Sequence, residues 1–251
     1  MQIIPLSEGS FTIDKSKIFI PFNLSEDELQ SRNTGSLLVE VQPFLIITEK
    51  DILLLDTGLG FMQNGEMQLH KNLALHNIKP ENITKVLLSH LHKDHAGGVS
   101  YKDRLGYYHL SFKNAVYYVQ QSEMDFAMNT GFPSFMAEEL SILQQNSQVV
   151  FLTDEEGTID GYIHYKITGA HSPHHQVFWI KENNETIFFG ADDAPQLQQM
   201  RHRFVAKYDF DGKKAMELRR QWWQQGNEEN WTFLFYHDVK TPFIKTTGAE
   251  V

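Results

Sequence analysis

The chain has 251 residues, no cysteine, and 22 Lys+Arg against 32 Asp+Glu, a formal charge of −10 with its 12 histidines counted neutral. The missing thiol excludes a disulfide framework, a thiolate metal site and a catalytic cysteine, so any metal must be held by nitrogen and oxygen. The acidic balance, with no Lys/Arg cluster longer than a pair, argues against a nucleic-acid surface and for a small-molecule substrate.

No repeat, low-complexity tract or Pro/Gly/Ser-rich linker interrupts the chain, so a single domain over residues 1–251 is expected. Met1-Gln2-Ile3-Ile4-Pro5 has no basic, long apolar leader. The longest apolar runs, Phe44–Ile47 and Ile52–Leu55, fall far short of the roughly 20 residues that span a bilayer. A cytoplasmic protein without membrane association is the expectation.

Residues 36–49 read as one long strand or two joined at Pro43, and residues 51–55 as a neighbour ending at the turn Asp56-Thr57-Gly58. Leu69, Leu73, Leu75 and Ile78 ahead of Pro80 predict a helix over 67–78, followed by a buried strand over 83–88. Further strands are expected at 107–112 and 115–119. Residues 122–145 contain two helical stretches broken at Gly131-Phe132-Pro133, with an apolar set of Phe126, Met128, Phe132, Phe135 and Met136. That set reads as core, or as the wall or lid of a substrate pocket. Strands are expected again at 149–153, 161–167, 177–181 and, after the turn Asn183-Asn184, at 186–189. Asp211 can cap a helix running to Gln225 with Gly226 past its end, and 231–236 is the last strand. Trp222-Trp223 on that helix mark either a homodimer contact or a buried face. Two successive strand-plus-helix halves predict an α/β fold with sheets sandwiched between helices.

The strand over 83–88 runs into Ser89-His90-Leu91-His92-Lys93-Asp94-His95-Ala96-Gly97-Gly98. In an extended segment His90 and His92 point to the same side and can share one metal ion. Asp94 and His95 follow in the turn and can aim a carboxylate and a third imidazole at an adjacent point, and Gly97-Gly98 allows close backbone approach. As packing residues each of these polar groups would need its own buried partner, which makes a metal site the better reading. His70 and His76 read as surface residues of the 67–78 helix; His109, His164 and His202 lack metal-like neighbours.

His90-Leu91-His92-Lys93-Asp94-His95 resembles the HxHxDH signature of the metallo-β-lactamase superfamily, and the resemblance extends over nearly the whole chain. It implies a four-layer αβ/βα sandwich. Leu53-Leu54-Leu55-Asp56-Thr57-Gly58 is similar to the family's strand and DTG turn, which implies that Asp56 supports the metal loop by hydrogen bonding. Thr168-Gly169-Ala170-His171-Ser172-Pro173-His174-His175 resembles the PGHTPGH stretch, with Ala170 and His174 in place of two glycines. By spacing alone His171 or His174 could supply a nitrogen; the register with Asp192 favours His171, and His175 becomes a supporting group. Ile187-Phe188-Phe189-Gly190-Ala191-Asp192 looks like the strand ending in a metal-bridging aspartate, a role that the register gives to Asp192 over Asp193. Phe233-Leu234-Phe235-Tyr236-His237 fits the strand that delivers the last histidine.

The resemblance therefore implies one ion on His90, His92 and His171, a second on Asp94, His95 and His237, and Asp192 bridging. Zn²⁺ is the first choice for such a nitrogen and oxygen set, with Fe or Mn also compatible. Two divalent ions there imply a bridging hydroxide as nucleophile, with Asp94 able to pass a proton to the leaving group. Among family members, the resemblance points to the quorum-quenching acyl-homoserine lactone lactonases and organophosphate-hydrolysing relatives. The expected reaction is hydrolysis of an ester, lactone or related bond of a small, partly apolar substrate. The tyrosine that lactonases place three residues after the bridging aspartate is Pro195 here; Tyr107, Tyr108 or Tyr236 are the candidates to replace it. Phosphodiester or organophosphate hydrolysis is the alternative reaction, and metal or ligand sensing without turnover is the alternative of another class.

Overall fold

The computed structural model describes residues 1–248. Its two large sheets have six strands each among the described residues, in the orders Gln2–Pro5, Phe44–Ile47, Ile52–Leu55, Lys85–Leu87, Val116–Gln120, Val149–Leu152 and Glu156–Ile159, Ile163–Ile167, Gln176–Glu182, Glu185–Phe189, Thr232–Leu234, Phe243–Lys245. The first is antiparallel at its leading edge and parallel from Ile52–Leu55 onward. The second is antiparallel apart from the parallel pairing of Glu185–Phe189 with Thr232–Leu234.

Strand alternation assigns each residue to one of three apolar layers. Leu53 and Leu55 point between the two sheets, where they meet Phe178, Ile180, Ile187 and Phe189, while Leu54 points outward. On that outer side, Leu45, Leu54, Val86 and Tyr117 pack on the helices Gln68–Leu75, Gln121–Thr130 and Ala137–Gln145 through Leu69, Leu73, Met124 and Leu140. On the far side of the second sheet, Phe188 and Phe233 pack on Trp222 and Met200 of the helices Gly212–Glu229 and Leu197–Arg201. Three cores between helix, sheet, sheet and helix make the αβ/βα sandwich. Within it Trp222 is 6% exposed and Trp223 is half-buried against the same core, which favours the buried-face reading of the pair.

Some elements differ from the expectation. The strands Gln2–Pro5 and Gly9–Ile13 carry no alternation strong enough to have been read, and the second pairs with Leu37–Val41 in a small extra sheet. The helix beginning at Gly212 runs through Gly226 to Glu229 and ends at Asn230 in a left-handed conformation, φ +58°. A Cβ on Gly226 would lie 2.3 Å from the Phe233 ring, so this glycine serves close helix–sheet packing and does not stop the helix. His70 is half-buried edge-on to Phe112, with its Nε2 enclosed, and is not a surface residue. No helix among the described residues is long and apolar enough to cross a membrane.

Candidate metal centre

The seven proposed ligands meet where strands of both sheets end. His90 and His92 follow Lys85–Leu87, and His92 precedes the one-turn helix Lys93–Ala96, which carries Asp94 and His95. The turn is held against the preceding loop by Thr57 N–H to His95 O at 2.7 Å and Gly97 N–H to Gly58 O at 2.8 Å. That approach needs glycine: a Cβ on Gly97 would sit 2.4 Å from Leu59 O, and one on Gly98 2.1 Å from Thr57 O. From the second sheet come His171, in the loop before Gln176–Glu182; Asp192, in the turn after Glu185–Phe189; and His237, beyond Thr232–Leu234. Ala191, just ahead of Asp192, has φ +42°, a strained value for a residue with a Cβ.

Two donor groups result, His90, His92, His171 and Asp192 in one and Asp94, His95 and His237 in the other, each with its donor atoms within 4.8 Å of one another. Asp192 lies between them. Its Oδ2 is 3.1 Å from His171 Nε2 and 3.9 Å from His90 Nε2, while its Oδ1 is 2.9 Å from His237 Nε2 and 3.1 Å from His95 Nε2. Asp94 Oδ2 is 3.5 Å from His237 Nε2 and 3.7 Å from His95 Nε2.

The remaining imidazole nitrogens are tied back, which fixes the tautomers. His95 Nδ1 donates to Asp56 Oδ2 at 2.8 Å, His171 Nδ1 to Asp209 Oδ1 at 2.9 Å, and His237 Nδ1 to the Glu40 carbonyl at 2.6 Å. Ser89 gives its hydroxyl proton to Asp56, so its oxygen accepts from His90 Nδ1 at 3.0 Å. Nε2 of these four therefore faces the cluster, whereas His92 turns its Nδ1 toward His90 Nε2 at 2.8 Å. Tyr236 stacks on His95 with centroids 4.0 Å apart and donates to the Asp94 carbonyl at 2.6 Å.

Electrostatics separates the imidazoles. Burial, reinforced by neighbouring imidazoles, holds His90 and His92 well below the usual histidine pKa, leaving neutral lone pairs. Burial pushes His95, His171 and His237 the same way, but carboxylates, Asp192 first among them, overcome it and raise all three. Asp192 itself is held well below the carboxylate range despite burial, by His237, His95 and His171. The cluster is thus a buried carboxylate surrounded by converging nitrogens, with His95 Nε2 and Asp192 Oδ1 enclosed yet lacking any well-directed hydrogen bond. A pair of divalent cations would satisfy those orphaned atoms, and the donor set fits them.

Asp193 faces the other way: its Oδ1 accepts from His171 N–H at 2.7 Å, and its Oδ2 is 3.1 Å from His175 Nδ1, so this pair braces the His171 loop. His174 lies outside the cluster against Phe126. Asp209, the Glu40 carbonyl and the bracing Glu123, which accepts from Leu91 N–H at 2.9 Å, escape sequence reasoning because no spacing links them to the ligands.

A cavity of about 810 Å³ opens above His92, Asp94, His171, Asp192 and His237. Of residues 122–145, Ser134 lines it but none of Phe126, Met128, Phe132, Phe135 and Met136 does, so of the two readings of that apolar set the pocket wall is the one this cavity does not support. Phe135 is 1% exposed in the core against the His92 ring, Phe126 and Met128 are half-buried against the same core, Met136 is half-buried, and Phe132 is exposed. The walls come instead from residues such as Ile13, Phe19 and Leu37 on one side and Phe204 and Tyr208 on the other. Buried Arg219 anchors the latter side by donating to the carbonyls of Asp193 and Phe204. Tyr107 and Tyr108 do not line the cavity, and the Tyr236 hydroxyl is spent on Asp94; the phenol facing it is Tyr208, beside His171.

A family model described as the metallo-beta-lactamase superfamily matches residues 39–220. No curated protein gives a significant match. Among solved structures, a probable metal-dependent hydrolase from Staphylococcus aureus is similar with a TM-score of 0.76 at 21% identity, covering 100% of this chain and 94% of that one. AidC, a dizinc quorum-quenching lactonase in complex with its product, is similar with a TM-score of 0.72 at 22% identity over 96% of this chain and 88% of that one. The hydrolase AbOPH of the beta lactamase superfamily gives 0.73 at 20% identity over 97% and 89%.

Proposed function

The chain belongs to the metallo-beta-lactamase superfamily, and we propose that it is a dinuclear metal-dependent hydrolase of a small, partly apolar ester or lactone. The observation that carries this reading is Asp192, which presents one oxygen to each of the two donor groups from a largely buried position where converging imidazoles hold it ionised. His90, His92 and His171 would hold one ion, Asp94, His95 and His237 the other, and Asp192 both. Two such ions would lower the pKa of bound water toward neutrality and polarise the scissile carbonyl. Zinc suits this donor set best; iron or manganese are compatible with it.

The residues around the ions divide the remaining work. Asp94 reaches the cavity and can carry a proton to the leaving group. Tyr208 lines the wall beside His171, and burial pushes its pKa up to about 12, so it remains a hydrogen-bond donor at neutral pH. In that place it can orient a substrate carbonyl, which Pro195 has no group to do. Ile13, Phe19 and Leu37 supply the apolar wall for an acyl or aryl body.

The test combines stoichiometry with turnover. The protein loaded with zinc should bind two ions per chain and hydrolyse members of a panel of acyl lactones and aryl esters. His92→Ala should bind fewer ions and lose at least about a thousandfold in kcat/KM, because one ion of the pair loses a buried nitrogen ligand. Two ions per chain without turnover above the His92→Ala control would sink the ester and lactone reading. Hydrolysis of bis(p-nitrophenyl) phosphate but of no ester would replace it with phosphodiester cleavage.

A further inference from the structure

The chain is strongly acidic, yet four lysines, Lys15, Lys17, Lys93 and Lys207, line the cavity. Several lysines elsewhere are matched: Lys85 pairs with Asp51 and Asp160, Lys113 with Glu81, Lys166 with Glu156 and Lys245 with Glu185. None of the four cavity lysines is within ion-pair distance of a carboxylate among the described residues. Apart from Asp94 and Asp192 at the metal centre, the carboxylate lining the cavity is Asp14, and its Oδ1 is engaged by the Ser16 N–H at 2.8 Å and the Ser16 hydroxyl at 2.6 Å.

The backbone holds this charge in place. Lys17 has φ +59°, left-handed for a residue with a long side chain, in a turn closed by its N–H on the Asp14 carbonyl at 3.0 Å. Lys93 lies on the helix that carries Asp94, its ammonium 5.7 Å from the centre of the Phe19 ring. Lys17 and Lys93 thus line the cavity beside an apolar wall, neither in an ion pair, and an anion seated there would be attracted to both.

We propose that the cavity binds an amphiphilic anion, its apolar body against Phe19, Leu37 and Phe204 and its fixed negative charge among Lys17, Lys93 and Lys207. Resting on the hydrolase reading, this makes the substrate an ester or lactone that carries an anionic group remote from the scissile bond. A lysine-lined cavity in an acidic protein concentrates such an anion at the mouth while the rest of the surface repels it.

Calorimetric titration of the zinc-loaded protein with 1-octanesulfonate and with neutral octyl methyl sulfone tests the site directly. The sulfonate should bind about tenfold more tightly at low ionic strength, and the preference should shrink with added salt. Lys17→Gln and Lys207→Gln should each reduce the preference about threefold and leave sulfone binding unchanged, with thermal midpoints confirming that both variants fold. Equal affinities, or a preference that survives both substitutions because the sulfonate sits on the metals, would overturn the proposal.

A turnover arm separates its fate from that of the hydrolase reading. The mono-4-nitrophenyl ester of hexanedioic acid should exceed 4-nitrophenyl hexanoate in kcat/KM by a similar factor. If neither ester turns over while the lysine-dependent preference for the sulfonate holds, the anion site stands and the ester-hydrolase reading falls. If both turn over equally and the sulfonate gains nothing, the reverse is true.

Discussion

The floor and the walls of the cavity are built on opposite principles. In the floor, the converging side chains are buried or nearly so and most are tied down twice, once toward the cluster and once to a separate element: His95 to Asp56, His171 to Asp209, His237 to the Glu40 carbonyl. The walls are built from short, more exposed pieces such as the turn around Lys17 and the stretch around Phe204. The contrast teaches where precision is needed: ligands must be held to a fraction of an ångström, whereas a wall that selects substrate can vary without disturbing them.

Two phenylalanines make the sharpest test of this division, because both are close to the cavity and only one belongs to the framework. Phe135, 1% exposed, packs edge-on to Phe126 with its ring 4.9 Å from that of His92; Phe204, 41% exposed, lines the wall. Phe135→Ala should cost about 3–5 kcal/mol of stability, as a large buried side chain leaves a hole. Phe204→Ala should change stability by less than about 0.5 kcal/mol and instead raise KM for apolar substrates severalfold with kcat little changed. Denaturant melts and steady-state kinetics on both variants read this directly; similar stability losses in the two would erase the distinction between floor and wall.

Asp209 tests the boundary between the regions, since it follows the wall residue Tyr208 yet its side chain holds His171. Removing it frees the His171 ring to rotate and lowers its basicity. Asp209→Ala should weaken one of the two ions about 10–100-fold and leave the other unchanged, as read by competition with a chelator. Equal loss at both sites would mean that the loop had collapsed, and no loss would mean that His171 is held by packing alone.

How far the sequence disclosed these regions follows from the same contrast. Four candidate ligands lie within six residues, His90 to His95, so their chemistry is local and visible in a single stretch, and Asp192 and His237 each lie three residues after a strand that ends in a plain apolar run. The three-core sandwich was legible for the same reason, because Leu53, Leu54 and Leu55 sit in a run apolar on both faces. Asp209 was not legible: it is 38 positions from its histidine and sits in Lys207-Tyr208-Asp209-Phe210-Asp211, where no period singles it out. Nor were the walls, which join residues around 13–39 to residues around 195–208 only after both sheets have formed. Residues 122–145 left core and pocket wall open because they are rich in Phe and Met: composition cannot tell an apolar lining from a core, and Phe135 belongs to the core while Ser134 beside it lines the cavity.

Glu8 is the weakest and most specific probe of how the floor is anchored. Its carboxylate accepts from Leu59 N–H at 2.6 Å and Phe61 N–H at 3.2 Å, and so secures the loop on which Gly97 rests. Burial raises its pKa from 4.5 to about 7, against the pull of those two N–H groups. The folded state therefore holds a proton between these values that the unfolded chain has released, and the stability due to that proton is complete below pH 4.5. It is lost as the pH rises to about 7 and changes no further above it. The decline should amount to about 1–3 kcal/mol, and Glu8→Gln, which cannot titrate, should lack it. Urea midpoints of both proteins across this range, with EDTA present so that metal release contributes to neither, isolate the difference even though the histidine cluster titrates in both. Parallel curves would show that the Glu8 carboxyl is solvated after all, and that the loop beneath the metal turn is held by its glycine contacts without it.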